Sequence, residues 1–228
     1  MTALHMLFPG VYSVSLSDGT EKLATQNLTP NRTVYREKTV DAGGRQYRLW
    51  DPYRSKLAAA VCKGLKTMPI TPDSRVLYLG AASGTTASHI SDIIGTNGTV
   101  YCVEFAQRSM RELLAGPCAH RGNMVPISAD ARMPDGYRML VAPVDAIYCD
   151  IAQPEQAKIL ADNADMFLKG EGWILLAVKA RSIDVAEQPS SVFRREVDVL
   201  KKRGFKPTQT VDLQPFDKAH CMVAARWR

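Results

Sequence analysis

The 228-residue sequence has no run of eighteen apolar residues, and its opening segment, MTALHMLFPG, has neither a basic stretch nor a long apolar one. Neither a membrane span nor a secretory signal is therefore expected, and the expected location is the cytoplasm. There is no Cys-x-x-Cys pair, and the five cysteines (Cys62, Cys102, Cys118, Cys149 and Cys221) are odd in number and widely scattered. Cys102, Cys149 and Cys221 lie in apolar, strand-like runs, so buried free thiols are expected in place of disulfides or a zinc site. Internal repeats, low-complexity segments and a Gly/Arg-rich tail are also missing. What remains, 46% apolar and 23% charged residues, is the composition of an ordinary globular chain with ample length for a packed core.

Glycine is scarce at one informative place. The stretch VLYLGAASGTTASHISDIIG, Val76 to Gly95, reads as strand, turn and helix. Its apolar run Val76 to Leu79 stops at Gly80, and Ala87, Ile90 and Ile94 fall on one helical face, with Thr85 or Thr86 as the expected cap. Such a unit is suited to a nucleotide, yet only Gly80 and Gly84 are present where a dinucleotide fingerprint needs three glycines.

Charge is unevenly spread. The net charge is +6, and from Arg32 to Lys56 seven basic residues face three acids, a surplus of four. Tyr35, Tyr47, Trp50 and Tyr53 are interleaved with them. Basic and aromatic residues together suit a phosphate backbone with exposed bases or sugars, and suit equally a solvated hairpin with cross-strand aromatics.

Up to Trp50 the pattern is short strands with tight turns at Ser17–Thr20 and Ala42–Gly44, a small antiparallel β domain over residues 1–50. Asp51-Pro52 then reads as the start of a helix whose Leu57, Val61 and Leu65 share a face. From there to residue 228 strands alternate with helices, and the last two strands follow one another with no helix between them. This predicts an α/β fold: a doubly wound, mostly parallel sheet with one antiparallel strand, as in class I methyltransferases.

In such a sheet ligands bind beyond the carboxyl ends of the strands. Four successive predicted strands lead to Gly80, Glu104, Asp130 and Asp150. Glu104 is placed to accept from ribose hydroxyls and Phe105 to cover an adenine. Asp130 is placed to accept from an adenine amino group or to cap a turn, and Thr85 and Thr86 to donate to a ligand carboxylate. An adenosine-containing ligand follows, and the missing middle glycine disfavours NAD. Lys179 ends the apolar run Trp173–Val178, an awkward place for a charge, and next to the acid Asp150 it is a catalytic candidate. Lys56 on a helix and His220 at a strand start are, each alone, ordinary structural residues.

The stretches YRLWDPYRSKLAAAVCKGL, VLYLGAASGTTASHISDIIG, VYCVEF, YCDIAQ and VKARSID closely resemble the archaeal form of fibrillarin. That family is the S-adenosylmethionine-dependent RNA 2′-O-methyltransferase of box C/D guide ribonucleoproteins, and its nucleotide loop is ordinarily poor in glycine. The resemblance implies donor contacts at Thr85, Thr86, Glu104, Phe105, Asp130, Ala131, Asp150, Ile151, Ala152 and Gln153. It also implies a catalytic Lys-Asp-Lys-His set at Lys56, Asp150, Lys179 and His220. The partners it implies are a guide RNA with rRNA and tRNA targets, a Nop-domain scaffold and a kink-turn-binding protein. No base-reading module such as an RRM or KH domain is recognisable, in keeping with specificity supplied by a guide. Two other readings stay open at this point: an NAD-dependent oxidoreductase, and a non-catalytic RNA-binding scaffold on a methyltransferase fold.

Overall fold

The computed structural model describes residues 3–227; Met1, Thr2 and Arg228, the ends of the two expected domains, lie outside the described residues. The chain forms two sheets. The first contains β1 (Ala3–Phe8), β2 (Val11–Ser15), β3 (Glu21–Gln26), β4 (Thr39–Ala42) and β5 (Arg45–Leu49) in the order β1-β2-β3-β5-β4, all antiparallel. The predicted turns at Ser17–Thr20 and Ala42–Gly44 join β2 to β3 and β4 to β5.

The second sheet follows α1 (Lys56–Cys62). Along the chain come β6 (Arg75–Leu79), α2 (Thr85–Ile94), β7 (Thr99–Glu104), α3 (Gln107–Ala115), β8 (Met124–Ser128), β9 (Val144–Cys149) and α4 (Gln156–Phe167). Then come β10 (Leu168–Lys179), the single-turn α5 (Ala180–Ile183), α6 (Pro189–Lys202), β11 (Lys206–Asp212) and β12 (His220–Arg226). Their order is β11-β12-β10-β9-β6-β7-β8, and β12 runs antiparallel to both its neighbours. Chain order therefore reverses between β6 and β9, and that switch point opens a crevice beyond the strand ends.

The central strands are buried on both faces, as their unbroken apolar runs require. Leu77, Ile147 and Leu176 pack with α4 and α6 on one side, and Tyr78, Tyr148 and Leu175 with α1 and α2 on the other. The second of these cores continues into the first sheet through Val11, Leu23 and Trp50. Cys102, Cys149 and Cys221 are buried free thiols, as expected; Cys118 is half-buried and Cys62 exposed.

Two helix starts differ from expectation. Asp51 and Pro52 do not open α1: the Asp51 side chain accepts from the Tyr53 amide at 2.9 Å and its carbonyl from Arg54, closing a turn. The helix begins four residues later on Ser55, whose hydroxyl accepts from the Ala58 amide. Nor do Thr85 and Thr86 cap α2, whose cap is Gly84 in the left-handed region, with no side-chain bond. Only glycine fits there, because a Cβ would lie 2.5 Å from Pro117 Cγ and 2.8 Å from Leu113 Cδ1.

The two sheets are locked together across α2 by a buried ionic cluster. Arg48, on β5, donates to Glu37 at 2.6 Å, to Asp92 at 2.8 Å and to the Ser88 hydroxyl at 2.8 Å. Arg121 meets the other Asp92 oxygen at 2.5 Å. His89 stacks on Trp50 with ring centres 4.9 Å apart and bonds Thr25 and Tyr35 through its two nitrogens. Of the four interleaved aromatics, Tyr47 and Trp50 are therefore core and Tyr35 is half-buried on His89. Tyr53 alone is well exposed, at 68%.

Candidate active site

The crevice at the switch point holds two adjoining cavities. One, of ≈ 270 Å³, is lined by Glu104, Phe105, Asp130, Ala131, Asp150, Ile151, Ala152 and Gln153, with Gly80 and Ala82 as its floor. The other, of ≈ 310 Å³, shares Gly80, Ala82, Asp150, Ile151 and Ala152 and adds Lys56, Thr85, Thr86 and Lys179. All ten expected donor contacts, and three of the four expected catalytic residues, thus face one continuous crevice.

Its floor depends on Gly80. There the chain turns at φ +81°, and a Cβ would meet the Asp150 carbonyl oxygen at 2.5 Å. Removing that atom lets β6 and β9 run side by side to their ends, where the Asp150 amide donates to the Leu79 carbonyl at 2.9 Å. Ala82 follows at φ +49°, a costly position for a residue with a side chain, and its amide donates to Glu104 Oε2 at 2.9 Å. The other Glu104 oxygen accepts from the Ala106 amide at 2.7 Å. Two main-chain donors therefore fix this buried carboxylate at the mouth of β7, and each oxygen keeps a lone pair for a hydroxyl donor. Beside it the Phe105 ring is 60% exposed, a large apolar face open to a flat base.

Of the two roles expected of Asp130, the structure shows the turn, and the residue also lines the first cavity. Its Oδ1 accepts from the Arg132 amide at 2.9 Å, a turn, and its carboxylate is gripped by the Arg132 guanidinium at 2.6 to 3.1 Å. Hydrogen bonding from Arg132 holds the Asp130 carboxyl below the usual range. Arg132, which also lines the cavity, went unnoticed in the sequence. Thr86 differs more: its hydroxyl is buried and donates to Ser55 at 3.0 Å, tying α2 to α1. At the α2 start, the unbonded first-turn amides remain to meet an anionic group.

The charged residues of the second cavity are ordered by sheet register. Asp150 directly follows β9, Lys179 ends β10, and His220 is its antiparallel partner at the start of β12. Lys56 Nζ lies 2.9 and 3.0 Å from the two Asp150 oxygens, so Asp150 pairs with Lys56 and not with Lys179. Among the described residues Lys179 has no carboxylate within 4.0 Å. Its main chain is instead clamped by buried Gln156, which accepts from the Lys179 amide at 2.9 Å and donates to its carbonyl at 3.3 Å. His220 does not line either cavity. Its Nδ1 sits 2.7 Å from the Lys218 carbonyl and 2.8 Å from Asp217, whose other oxygen is 3.8 Å from Lys56. Its Nε2 is buried without a partner among the described residues. Burial holds the His220 imidazole below its ordinary range, favouring the neutral ring.

Gln156 and Asp217 escaped sequence reasoning. Asp217, three residues before His220 in FDKAH, was open to notice as an acid beside a histidine; Gln156 left no signal, because a clamp on a main chain 23 residues away has no local pattern. Among the described residues no cluster of histidine, cysteine or acidic side chains is placed to hold a metal ion.

A seven-stranded sheet of this order, with a strand-end carboxylate, an aromatic face and an uncapped helix start around one crevice, defines a class I methyltransferase. Comparison with known proteins narrows this further. The fibrillarin family model matches residues 2–228. A fibrillarin-like rRNA/tRNA 2′-O-methyltransferase of Staphylothermus marinus is 55% identical over 224 residues, 98% of this chain and 95% of its own. The crystal structure of Aeropyrum pernix fibrillarin with natively bound S-adenosyl-L-methionine superposes with a TM-score of 0.92 at 50% identity, covering 99% of this chain and 97% of that one. Fibrillarin in a fibrillarin/Nop5p complex superposes with a TM-score of 0.86 at 39% identity, over 98% of this chain and 100% of that one. The chain belongs to the fibrillarin family.

Proposed function

We propose that this protein transfers a methyl group from S-adenosylmethionine to the ribose 2′-hydroxyl of rRNA and tRNA, as the catalytic subunit of a box C/D ribonucleoprotein in the cytoplasm. The observation that carries the reading is the shared crevice, in which a donor-type cavity opens directly onto Lys56, Asp150 and Lys179. The family membership, the bound donor in the Aeropyrum relative and the Nop5p complex support it. A Nop-domain scaffold, a kink-turn-binding protein and a guide RNA are the proposed partners, in keeping with a sequence in which no base-reading module is recognisable. The proposed division of labour follows the two sheets: residues 51–228 carry the chemistry, and residues 1–50 brace α2.

The residues present suit the donor. Glu104 offers acceptors to ribose hydroxyls, Phe105 a stacking face for adenine, and the α2 start a positive end for the methionyl carboxylate. Asp130, Ala131 and Asp150 to Gln153 complete the walls. When bound, the donor supplies an electrophilic methyl on a sulfonium, a leaving group that needs no acid. The protein's work is then alignment of the attacking hydroxyl and removal of its proton. Alignment alone contributes up to roughly 7–11 kcal/mol in well-oriented models. As the 2′-oxygen bonds to the methyl carbon and the carbon–sulfur bond breaks, Lys179 Nζ is the proposed acceptor of the hydroxyl proton. Asp150 is engaged by Lys56 at 2.9 and 3.0 Å, which leaves the Lys179 amine without a carboxylate partner among the described residues. Asp217, which His220 Nδ1 meets at 2.8 Å, lies behind Lys56 at 3.8 Å.

Calorimetric titration with S-adenosylmethionine and with NAD tests the donor assignment. Saturable binding of the first and none of the second is expected; NAD binding at the same site would reverse the reading.

A further inference from the structure

The catalytic cavity does not end at Arg54 and Thr85. A third cavity, lined by Val34, Tyr35, Arg36, Ser83 and Glu112, shares Arg54, Ser83 and Thr85 with it. A fourth, lined by Asn31, Arg32, Thr33, Gly116 and His120, shares Val34 with the third. The three form one open groove that leaves the Lys56–Lys179 pocket and runs along the segment joining β3 to β4.

We propose that this groove carries the sugar–phosphate backbone of the RNA on one side of the target ribose, with Arg54, Arg36 and Arg32 as its successive phosphate contacts. The inference rests on the reading above and adds the path by which the substrate strand enters. A nucleotide whose 2′-hydroxyl sits at Lys179 is joined to a chain carrying one negative charge per residue, and that chain has to leave the pocket along the surface. Along this groove three guanidinium groups are exposed, and none has a carboxylate within 4.0 Å among the described residues. Beyond the Lys56–Lys179 pocket the acid lining the groove is Glu112, which Arg108 meets at 3.3 Å.

Two of the cations and the loop carrying the third are also held in place. Arg54 lies over the Tyr35 ring at 5.3 Å, and the Tyr35 hydroxyl is fixed to His89 at 2.8 Å. Glu37 accepts from the Val34 and Tyr35 amides at 2.8 to 3.1 Å while paired with buried Arg48, so the loop presenting Arg36 is anchored from below. Arg32 is steadied by His120 Nε2 at 3.0 Å. The Arg54 and Arg32 guanidinium groups, held this way, lose little freedom on meeting a phosphate, whereas for Arg36 it is the backbone of its loop that is fixed. The acidic surface of a partner protein is the competing occupant, and the experiment separates the two.

The test is the KM for target RNA, and its salt dependence, in the fully assembled particle carrying Arg32→Gln and Arg36→Gln. Both side chains are exposed, and melting and donor affinity check that the fold is intact. The expected result is a several-fold rise in KM for RNA with KM for the donor unchanged. The plot of log affinity against log salt should become shallower by about 0.7–0.9 per arginine removed. Lys202→Gln, on α6, serves as a charge-loss control and should move neither. An unaltered KM and slope in the double variant, while the unaltered chain methylates its target, overturns the groove and leaves the function standing. Weakened assembly with an unaltered KM for RNA assigns the arginines to a protein partner and also overturns it. Failure of the unaltered chain to methylate any guided RNA would sink the functional reading instead.

Discussion

Two clusters of charge, one around Asp92 of α2 and the other around Lys56 of α1, are built on opposite rules. In the cluster between the sheets, Arg48, Arg121, Glu37 and Asp92 have side chains no more than 2% exposed, and each guanidinium meets a carboxylate. At the crevice and just behind it, Lys56, Asp150 and Asp217 are 19% to 34% exposed, and among the described residues Lys179 has no acid within 4.0 Å and His220 keeps one nitrogen unpartnered. Buried charge is tolerable only when fully paired, so the first cluster can hold a shape and nothing else. Half-exposed charge with spare donors and acceptors can bind and exchange protons. The rule separates structural ionic groups from chemical ones.

Breaking the open cluster is expected to have the largest effect. Lys179→Ala should lower turnover by roughly 10²–10⁴-fold while donor affinity stays nearly unchanged. Lys179→Arg separates two roles, since arginine can steady an alkoxide but cannot take a proton. Recovery of turnover in the arginine variant would make Lys179 an electrostatic residue, and an equal loss of donor binding would remove it from the chemistry.

Breaking the closed cluster should act on stability alone. Asp92→Ala strips a partner from two buried arginines, which costs about 3–5 kcal/mol. At about 2–4 °C per kcal/mol for a chain of this size, the melting temperature should fall by roughly 6–20 °C. Per folded molecule, donor affinity should persist. A stable Asp92→Ala protein with weakened donor binding would mean that the cluster serves the site directly.

The smallest effect is a pH dependence. Burial, followed by Arg48 and Arg121, holds the His89 imidazole well below 6.5, its value in the unfolded chain. The unfolded state therefore takes up the proton first. Stability from this residue is complete above pH 6.5 and is lost as pH falls toward the lowered folded value, by up to about 1.4 kcal/mol per pH unit. Melting curves between pH 5 and 7 should flatten in His89→Gln, part of the remaining slope coming from His220, which is shifted in the same direction. An unchanged slope would place the acid sensitivity elsewhere.

The sequence disclosed the open cluster far better than the closed one. Glu104, Asp150 and Lys179 each stand at the end of an unbroken apolar run, so the change to a charged residue marks them. The glycine at position 80 marks the close approach of two strands. The buried cluster leaves no such trace. His89, Ser91 and Asp92 look like the polar face of an amphipathic α2, yet that face is covered by the first sheet and is as buried as the other. Partners separated by 44 and 29 residues have no local spacing to betray them. Helix starts failed for a related reason: Asp51 and Ser55 are both good caps, and only the turn made by Asp51 decides between them.

The most direct measurement is transfer of a labelled methyl group from S-adenosylmethionine to a guide-matched RNA, mapped to the nucleotide. It is made with the chain alone and with its scaffold, kink-turn protein and guide. Label confined to the guided 2′-hydroxyl, and only in the assembled mixture, is the predicted result. Intact donor binding with no label in a correctly assembled particle would contradict it and leave an RNA-binding scaffold on a methyltransferase fold.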